Sequence, residues 1–320
     1  MSRLLRACTA PLPAAALKRL ARQLAGNRPF GPYPGWRFAI EEQHPTPMVL
    51  ARMCLWNLFR ERGINDPVRV NWYDDLVVDV VLGNDQSRCL YVSGSFEPNE
   101  FVFLGDVLSS GAVFIDIGAN EGFYTLFAAR RVGAEGRVLA MEPSPRELHR
   151  LRHNIAINQL ENVVVDTRAV GRQQGKATFH IADPEHNGQN TLGDFGHQGV
   201  TAVEHIEVDL IDLDALAAEH GLNGVNVVKM DVEGAELEVL KGAENVLGRF
   251  RPIVLFELFD ASLRKQGASA AAVLDFLQQR GYHFLTFDEA TGLPKSADEF
   301  AEMSQNVIAI HKDNPLPPRR

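Results

Sequence analysis

From about residue 111 onward, short apolar runs alternate with helical patterns, and this alternation restricts the fold more than any other feature of the sequence. The run from Val113 to Ile117 (VFIDI) is almost wholly apolar, as expected of a strand buried on both faces of a sheet. Repeated strand–helix units predict an α/β fold with a doubly wound, mainly parallel sheet. Two late strands have no clear helix between them, which predicts one antiparallel strand at an edge of this sheet.

The alternation sets the predicted order of elements in this domain, which we place at residues 111–313. We predict strands at 113–117, 137–142, 162–170, 176–181, 203–209, 225–231, 252–258, 282–287 and 306–312. We predict helices at 121–131, 145–158, 211–220, 234–247 and 269–280. The polar stretch 183–200 is predicted to be a long loop, with the length and polarity of a lid; the alternative is a mobile loop without a role.

The first 110 residues follow a different pattern. We divide them into a basic helix with a Pro/Gly-rich linker at 1–40 and an accessory segment at 41–110. The accessory segment should hold a small antiparallel β segment and helices. Its predicted helices are 48–62 and 99–109, and its predicted strands are 68–73, 76–82 and 88–92.

Charge and apolar content exclude several classes of protein. Lys and Arg number 32 against 41 Asp and Glu, so the net charge is −9, and nucleic acid is not an expected partner. Residues 1–40 are the exception, since no acid precedes Glu41. The pattern favours a solvated helix, and the alternative is a weak contact of residues 1–28 with an anionic surface. No apolar run is long enough for a transmembrane segment.

The three cysteines, Cys8, Cys54 and Cys89, are far apart in the sequence. Their spacing argues against a disulfide framework and against a zinc site. The basic N-terminus is not followed by the apolar stretch of a signal peptide. These features predict a cytoplasmic protein.

A glycine turn after the first strand of the domain predicts a ligand site. The strand brings in Asp116, and the turn from Gly118 to Gly122 then opens a helix. Glu142 ends the next strand, where a carboxylate can accept both hydroxyls of a ribose. The two features together predict an adenosine-type ligand. The turn has the spacing G-x-x-x-G and lacks the third glycine of a dinucleotide fold, which favours S-adenosylmethionine over NAD.

A second cluster of polar residues follows the strand at 225–231. Asp231 lies at its carboxyl end, the ligand-binding edge of such sheets, and Glu233 and Glu236 follow on a predicted first helical turn. Three carboxylates at a cleft can bind a cation or raise the pKa of one member so that it serves as a base. The structural alternative is a capping box, with Glu233 at the N-cap and Glu236 at N3.

These segments resemble the FkbM-type S-adenosylmethionine-dependent methyltransferase family over residues 94–290. The resemblance rests on Gly94–Glu100 (GSFEPNE), Phe114–Ala129, Ala169–Gly171, Val208–Asp214 and the specific segment Lys229–Gly242 (KMDVEGAELEVLKG). Ile-Asp stands where the fourth segment usually has Thr. The resemblance implies a class I, Rossmann-like methyltransferase fold that uses S-adenosylmethionine and most often methylates a hydroxyl oxygen.

The resemblance also assigns residues to the cofactor. The cofactor-binding residues it implies are Asp116, Gly118, Ala119, Asn120, Gly122, Tyr124, Glu142, Ser144, Arg168, Ala169 and Asp231. Asp116 and the glycine turn would line the methionine end, Glu142 would bind the ribose, and Ser144 with the backbone of Arg168 to Val170 would flank the adenine. No metal ligand is assigned.

The reaction would need a base for the acceptor hydroxyl. Asp231 is the first catalytic candidate, followed by Glu233 and Glu236, and then by His205 and Glu257. The acceptor expected is a small-molecule or glycan hydroxyl, on a sugar or a secondary metabolite. Two other interpretations stay open at this point: an NAD-type Rossmann oxidoreductase, and a non-catalytic protein that binds an adenosyl ligand.

Overall fold

The structure, a computed structural model, describes residues 12–25, 46–300, 304–314 and 316. It divides into two compact units. The first contains the described parts of residues 1–102 together with 184–188 and 289–292, and the second contains the rest. None of the described helices is long and apolar enough to cross a membrane.

The first unit is built from two helices, a β hairpin and helical turns. Its elements are α1 (Ala14–Leu24), α2 (Pro47–Glu61), β1 (Val68–Asn71), β2 (Val77–Val80), α3 (Asp85–Ser87) and a π-helix (Arg88–Ser93). The chain leaves it through α4 (Pro98–Val107), which crosses the boundary between the units. The strands β1 and β2 pair antiparallel. Helix α2 begins where Thr46 Oγ1 accepts a hydrogen bond from Val49 N at 3.2 Å.

The prediction of a strand at 88–92 is wrong, because this segment is the π-helix Arg88–Ser93. A capping box starts the helical turn: Asn84 Oδ1 accepts from Ser87 N at 2.8 Å, and Ser87 Oγ accepts from Asn84 N at 3.2 Å. The turn continues until Gly94, which has a φ of 82°. A short apolar run that is buried on all sides does not reveal its period, so the sequence did not distinguish the two structures.

Helix α1 uses its apolar face within the first unit. Leu17 and Ala21 are fully buried, and Tyr91 Oη donates a hydrogen bond to Ala21 O at 3.1 Å. Lys18 lies 2.5 Å from Asp66, whereas Arg22 is exposed. The outward surface of α1 is therefore basic. The rest of residues 1–28, for which contact with an anionic surface was considered, lies outside the described residues.

The second unit is a sheet of eight strands flanked by helices, as the alternation predicted. Its elements are β3 (Val113–Ile117), α5 (Phe123–Val132), β4 (Arg137–Met141), α6 (Pro145–Ile157), β5 (Val163–Asp166), β6 (Ala169–Val170), β7 (Gly175–Ala182), β8 (Ala202–Ile211), α7 (Leu213–Glu219), β9 (Val227–Met230), α8 (Glu236–Lys241), β10 (Ile253–Leu258), α9 (Asp260–Lys265), α10 (Ala270–Gln278), β11 (Tyr282–Phe287), β12 (Pro294–Ser296) and β13 (Gln305–His311). Two further short helices are Pro184–His186, in the first unit, and Val246–Phe250.

The strands of the large sheet follow the order β12-β11-β13-β10-β9-β3-β4-β5, and β6, β8 and β7 form a second, three-stranded sheet. Strands β3, β4, β5, β9 and β10 pair in parallel. The predicted antiparallel strand at an edge is β12, which pairs antiparallel with β11. A second antiparallel strand, β13, lies between β10 and β11, and its Val307 and Ile308 are fully buried, as expected of an interior strand.

Two predicted elements differ strongly from the structure, and one helix was not predicted. The strand predicted at 162–170 is two strands, β5 and β6, and they belong to different sheets. The helix predicted at 234–247 begins only at Glu236 and ends at Lys241. Helix α9 was not predicted, because its short sequence of Asp260 to Lys265 has no apolar period of its own.

Candidate active site

Four parallel strands end at one edge of the large sheet and bring the predicted site residues together there. Asp116 on β3 is in register with Ala140 on β4 and with Lys229 on β9. Phe256 on β10 is in register with Met230 on β9. The carboxyl ends of these strands therefore lie side by side, which is the ligand-binding edge of an open α/β sheet.

The glycine turn is held by backbone contacts that leave no room for a side chain at its first position. Gly118 has a φ of 78°, and a Cβ placed on it would lie 2.0 Å from Asp231 O. Its own N–H and that of Ala119 both donate to Met141 O, at 3.0 and 2.9 Å. The turn ends at Gly122, with a φ of 96°, and α5 begins. Its backbone is therefore fixed against β4 and against the turn after β9.

Glu142 closes this turn from the end of β4. Its Oε2 accepts from Asn120 N at 2.8 Å and its Oε1 accepts from Ser144 N at 2.8 Å. Burial, and secondly the nearby Glu147, raise the pKa of Glu142 to about 8, although the two backbone hydrogen bonds oppose this. Each carboxylate oxygen has a further lone pair, so Glu142 keeps acceptor capacity for a ligand.

The residues predicted to flank the adenine lie in the same unit. The side chains of Ser144 and Arg168 are bound to neighbouring residues. Ser144 Oγ donates to Glu147, which is fully buried and also accepts from Arg146 Nε at 2.6 Å. Arg168 binds Asp166 at 2.6 Å and Glu219 at 2.7 Å. The guanidinium of Arg168 is thus engaged by two carboxylates. Ala169 is buried at the start of β6.

Lys229 is a buried ammonium group at the centre of the edge. Its Nζ lies 3.8 Å from Asp116 Oδ1 and 3.4 Å from Asp231 Oδ2, and it donates to Gly118 O at 3.2 Å. It also lies 4.8 Å from the centre of the Tyr124 ring, a cation–π contact. Lys229 therefore connects both predicted clusters, the glycine turn and the acidic strand end.

Asp116 is the most buried carboxylate of the edge. It is fully buried and accepts from Thr125 Oγ1 at 2.6 Å. Burial raises the pKa of Asp116, while Lys229 and the hydrogen bond from Thr125 oppose the rise. Its Oδ1 is buried and receives no hydrogen bond from the described residues. That oxygen is an acceptor available to a ligand with N–H donors.

The capping box proposed for the acidic strand end is wrong. Glu233 has a φ of 51° and precedes a second left-handed residue, Gly234, so α8 begins later, at Glu236. Gly234 N instead donates to Glu236 Oε1 at 3.3 Å. Glu233 therefore lies in a strained turn before α8. The sequence had placed it on the first turn of the helix.

The turn places two buried carboxylates beside a more exposed one. Glu233 is 6% exposed and Glu236 2%, while the Asp231 side chain is 37% exposed. Burial, followed by the charges of Glu257, Asp231 and Glu236, raises the pKa of Glu233 well above its ordinary value. Burial raises the pKa of Glu236 to about 7. Asp231 is therefore the most exposed of the three carboxylates, and two carboxyl groups of raised pKa lie near it.

Three of these carboxylates approach one another. Ligand oxygens of Asp231, Glu233 and Glu257 all lie within 4.8 Å of one another. Ser304 Oγ donates to Glu257. Such a group can hold a hard divalent cation or share a proton, and the oxygens alone do not distinguish these two uses. His205 lies elsewhere, on β8, where its ring packs edge-on against His180 with centroids 4.6 Å apart.

The sequence placed the segment 191–197 in the predicted lid loop, but it did not indicate the contacts of this segment and of Gln266 with the turn at Glu233. Thr191 Oγ1 and Gln266 Nε2 both donate to Glu233 O, at 3.0 and 2.9 Å. His197 Nε2 lies 3.7 Å from Glu233 Oε2. These residues are far from Glu233 in the sequence and carry no motif. The one available signal was the polar composition of the loop, which indicated a lid and not a packed wall.

The buried carboxyl groups predict how stability depends on pH. The raised pKa values of Glu142, about 8, and Glu236, about 7, mean that the folded protein keeps protons that the unfolded chain releases above about 4.5. The free energy of unfolding should therefore fall as pH rises from about 5 to 8. Thermal unfolding followed by circular dichroism at half-unit intervals of pH measures this slope.

Two variants test whether Glu236 contributes to this dependence of the free energy of unfolding on pH. Glu236→Gln should reduce the slope between pH 5 and 7 and leave the part that Glu142 causes, with a gain in the free energy of unfolding at pH 8 on the order of 3 kcal/mol. Glu204→Gln, at an exposed position of β8, is the matched control and should leave the slope unchanged. A melting temperature that rises between pH 5 and 8 would contradict the expected protonation of these groups.

Comparison with known proteins finds one family and several relatives. Residues 116–284 match the methyltransferase FkbM domain. The chain is 28% identical over 164 residues to Methyltransferase 1 of Beauveria bassiana, covering 46% of this chain and 64% of that one. It is 27% identical over 180 residues to the 2-O-methyltransferase NoeI of Sinorhizobium fredii, covering 52% and 70%.

A third relative is the 31-O-demethyl-FK506 methyltransferase FkbM of Streptomyces tacrolimicus. It is 31% identical over 168 residues, covering 44% of this chain and 63% of that one. The chain thus spans a little under two thirds of the Beauveria and Streptomyces relatives. The matched segment 116–284 contains the site residues described above except Ser304.

Proposed function

This chain belongs to the methyltransferase FkbM domain family, and from that premise we propose that it transfers a methyl group from S-adenosylmethionine to a hydroxyl oxygen. The acceptor proposed is a hydroxyl of a sugar, a glycan or a secondary metabolite. The 2-O- and 31-O-methyltransferases among the relatives act, by their names, at oxygen, which supports this acceptor class.

The hydrogen-bond acceptors at the edge where the strands end support S-adenosylmethionine as the cofactor. When bound, S-adenosylmethionine supplies a methyl group already activated on a sulfonium sulfur. Asp116 has a buried oxygen suited to the N–H donors of the methionine end, and Glu142 has the acceptor capacity for ribose hydroxyls. Tyr124, Asn120 and the glycine turn would complete the methionine side.

The adenine side of the proposed site has less support from side chains. The Ser144 hydroxyl donates a hydrogen bond to Glu147. The Arg168 guanidinium is bound to Asp166 and Glu219. We therefore expect backbone groups near Ser144 and Ala169, and not the Arg168 guanidinium, to meet the base. This keeps the backbone role at the adenine that the resemblance implies for Arg168 to Val170.

The acidic strand end would serve the acceptor. An alcohol is a poor nucleophile until its proton is removed, and a carboxylate within hydrogen-bonding reach can remove it as the new bond forms. Asp231 is the most exposed of the three carboxylates at this point, and Lys229 holds it beside the glycine turn. Asp231 would orient the acceptor next to the methyl group, with Glu233 and Glu236 behind it.

The observation that carries the proposal is the single edge that joins the two clusters through Lys229. Calorimetric titration with S-adenosylhomocysteine, with NAD as comparator, tests the cofactor. We expect micromolar binding of S-adenosylhomocysteine, no measurable binding of NAD, and loss of at least about 100-fold in affinity in Glu142→Ala, a change of about 2.7 kcal/mol. Binding of NAD alone would overturn the proposal.

A second experiment addresses the acceptor. Transfer from radiolabelled S-adenosylmethionine is measured with a panel of methyl hexosides, methyl hexuronides and macrolide alcohols. We expect label in at least one oxygen acceptor, and Asp231→Asn should lower kcat by about 100-fold or more while S-adenosylhomocysteine still binds. Glu204→Gln is the control for surface charge, with unchanged transfer expected.

A further inference from the structure

The segment Thr191–His197, which we call the loop wall, is fastened to the turn that carries Glu233. Thr191 is 1% exposed, and its Oγ1 donates to Glu233 O at 3.0 Å. Gln266 Nε2 completes the contact by donating to Glu233 O at 2.9 Å and to Thr191 Oγ1 at 3.0 Å. The left-handed turn at Glu233 is therefore held through its carbonyl by two side chains from distant parts of the chain.

Two glycines let the loop wall approach α9 and the residue after it. A Cβ on Gly193 would lie 2.5 Å from Gln266 Cγ, and one on Gly196 would lie 2.0 Å from Ser262 Oγ. Neither distance is tolerated by a real side chain, so the backbone is packed directly against these residues. The loop wall is thus packed against Ser262 and Gln266 and forms one side of the turn that carries Glu233.

The loop wall ends by presenting an imidazole to Glu233. His197 Nε2 lies 3.7 Å from Glu233 Oε2, and the His197 side chain is 29% exposed. Its ring packs on Phe259, with centroids 4.5 Å apart and planes inclined at 34°. Phe259 directly follows β10, so the imidazole is held at the same sheet edge as Asp231.

We propose that His197 and Glu233 form a proton-accepting pair for the acceptor hydroxyl, in which His197 is the positioning residue that makes Glu233 able to accept. This proposal rests on the proposed function. The acceptor's O–H bond breaks as its oxygen bonds to the methyl carbon, and the carbon–sulfur electron pair stays on sulfur. The proton passes to the Glu233 carboxylate, and His197 carries the proton that Glu233 held before.

The surroundings of Glu233 explain why a pair is needed. The charged groups that face it are Asp231, Glu236, Glu257 and Lys229, in addition to His197. Three carboxylates outweigh one ammonium group, and burial adds to them, so the pKa of Glu233 is held well above its usual value. A protonated Glu233 carboxyl group cannot accept the proton of the acceptor hydroxyl. The His197 imidazole, which is partly exposed to water, takes up the proton of Glu233. The resulting imidazolium stabilises the Glu233 carboxylate as an ion pair.

The pair is tested first without any acceptor. Carbon-13 shifts of the histidine rings are followed against pH in the full chain saturated with S-adenosylhomocysteine, and His197→Gln identifies the His197 signal. Glu233→Gln should lower the midpoint of the His197 titration by about one pH unit, since it removes a facing carboxylate. Glu207→Gln, which alters an exposed residue paired with Lys176, should not move it. An unchanged midpoint in Glu233→Gln overturns the proposal.

The second measurement separates catalysis from packing. With the panel acceptor that is methylated, His197→Gln should lower kcat about 100-fold at pH 7, with KM within threefold. Raising the pH should recover part of the loss, because bulk hydroxide then deprotonates Glu233 in place of His197. His283→Gln, on the exposed side of β11, is the control and should act as the wild type. An unchanged kcat in His197→Gln overturns the proposal.

The failures of the two proposals are distinguishable. Wild-type protein that does not bind S-adenosylhomocysteine contradicts the proposed function, whatever His197 does. If it binds but no panel alcohol is methylated, the acceptor class is wrong and the ring titration alone decides the pair. His197→Gln that loses S-adenosylhomocysteine binding marks His197 as a structural residue and overturns the pair.

Discussion

Gly118→Ala is expected to abolish binding of S-adenosylhomocysteine and to lower the melting temperature by about 5 °C. The added Cβ would lie 2.0 Å from Asp231 O, a backbone atom that cannot swing aside as a flexible side chain can. Asp231 N also donates to Ile117 O at 3.0 Å, so moving this carbonyl disturbs the contact between β3 and the turn after β9. Overpacking and a left-handed conformation together should cost about 3 kcal/mol, measurable by thermal unfolding and calorimetry.

Gly111→Ala is the matched control for this substitution. Gly111 has a φ of 82°, close to the 78° of Gly118, but a Cβ there meets no atom within 4 Å. It should therefore show only the conformational cost of about 1 kcal/mol, with unchanged affinity for S-adenosylhomocysteine. Equal losses in the two variants would show that the close approach to Asp231 O has no part in the effect.

Lys229→Met is expected to destabilise the protein by about 3–5 kcal/mol, because it leaves Asp116 buried without its cation. Asp116 is fully buried, and Lys229 Nζ lies 3.8 Å from its Oδ1. The same change frees Asp231 and the Gly118 carbonyl from their contacts with Nζ, so affinity for S-adenosylhomocysteine should also fall. Chemical denaturation measures the first effect and calorimetry the second.

A double variant tests the cause of this loss. Asp116→Asn removes the charge that Lys229 balances, so the double variant Lys229→Met with Asp116→Asn should recover part of the stability lost in Lys229→Met alone. Lys176→Met removes an exposed lysine from its pair with Glu207 and should leave the melting temperature unchanged. Strictly additive losses in the double variant would mean that the two side chains do not interact in the folded state.

Much of the site was predictable because strands of a parallel sheet end at a common edge. Asp116, Glu142 and Asp231 each follow an apolar run, and the structure places all three at that edge. The acidic strand end was located by its sequence, but its turn was not. Glu233 adopts a left-handed conformation because Thr191 and Gln266 hold its carbonyl, and neither residue is near it in the sequence.

The side chain of Arg168 shows the same limit. The resemblance implied that its backbone flanks the adenine and gave no partner for its guanidinium, which is held by Asp166 and Glu219. Glu219 lies on α7, which meets Arg168 only once the chain has folded. A pairing between charges so far apart in the sequence depends on packing and not on the local pattern.

The sequence by itself determined the α/β class, the strands that carry the site and the glycine turn between them. These follow from local rules, the apolar period of strands and helices and the backbone freedom of glycine, which act within a few residues. Only the tertiary structure decided that β13 inserts between β10 and β11, that residues 88–93 are helical and that His197 meets Glu233. Burial and charge contacts between distant segments set these features, and both exist only after the chain has collapsed onto its core.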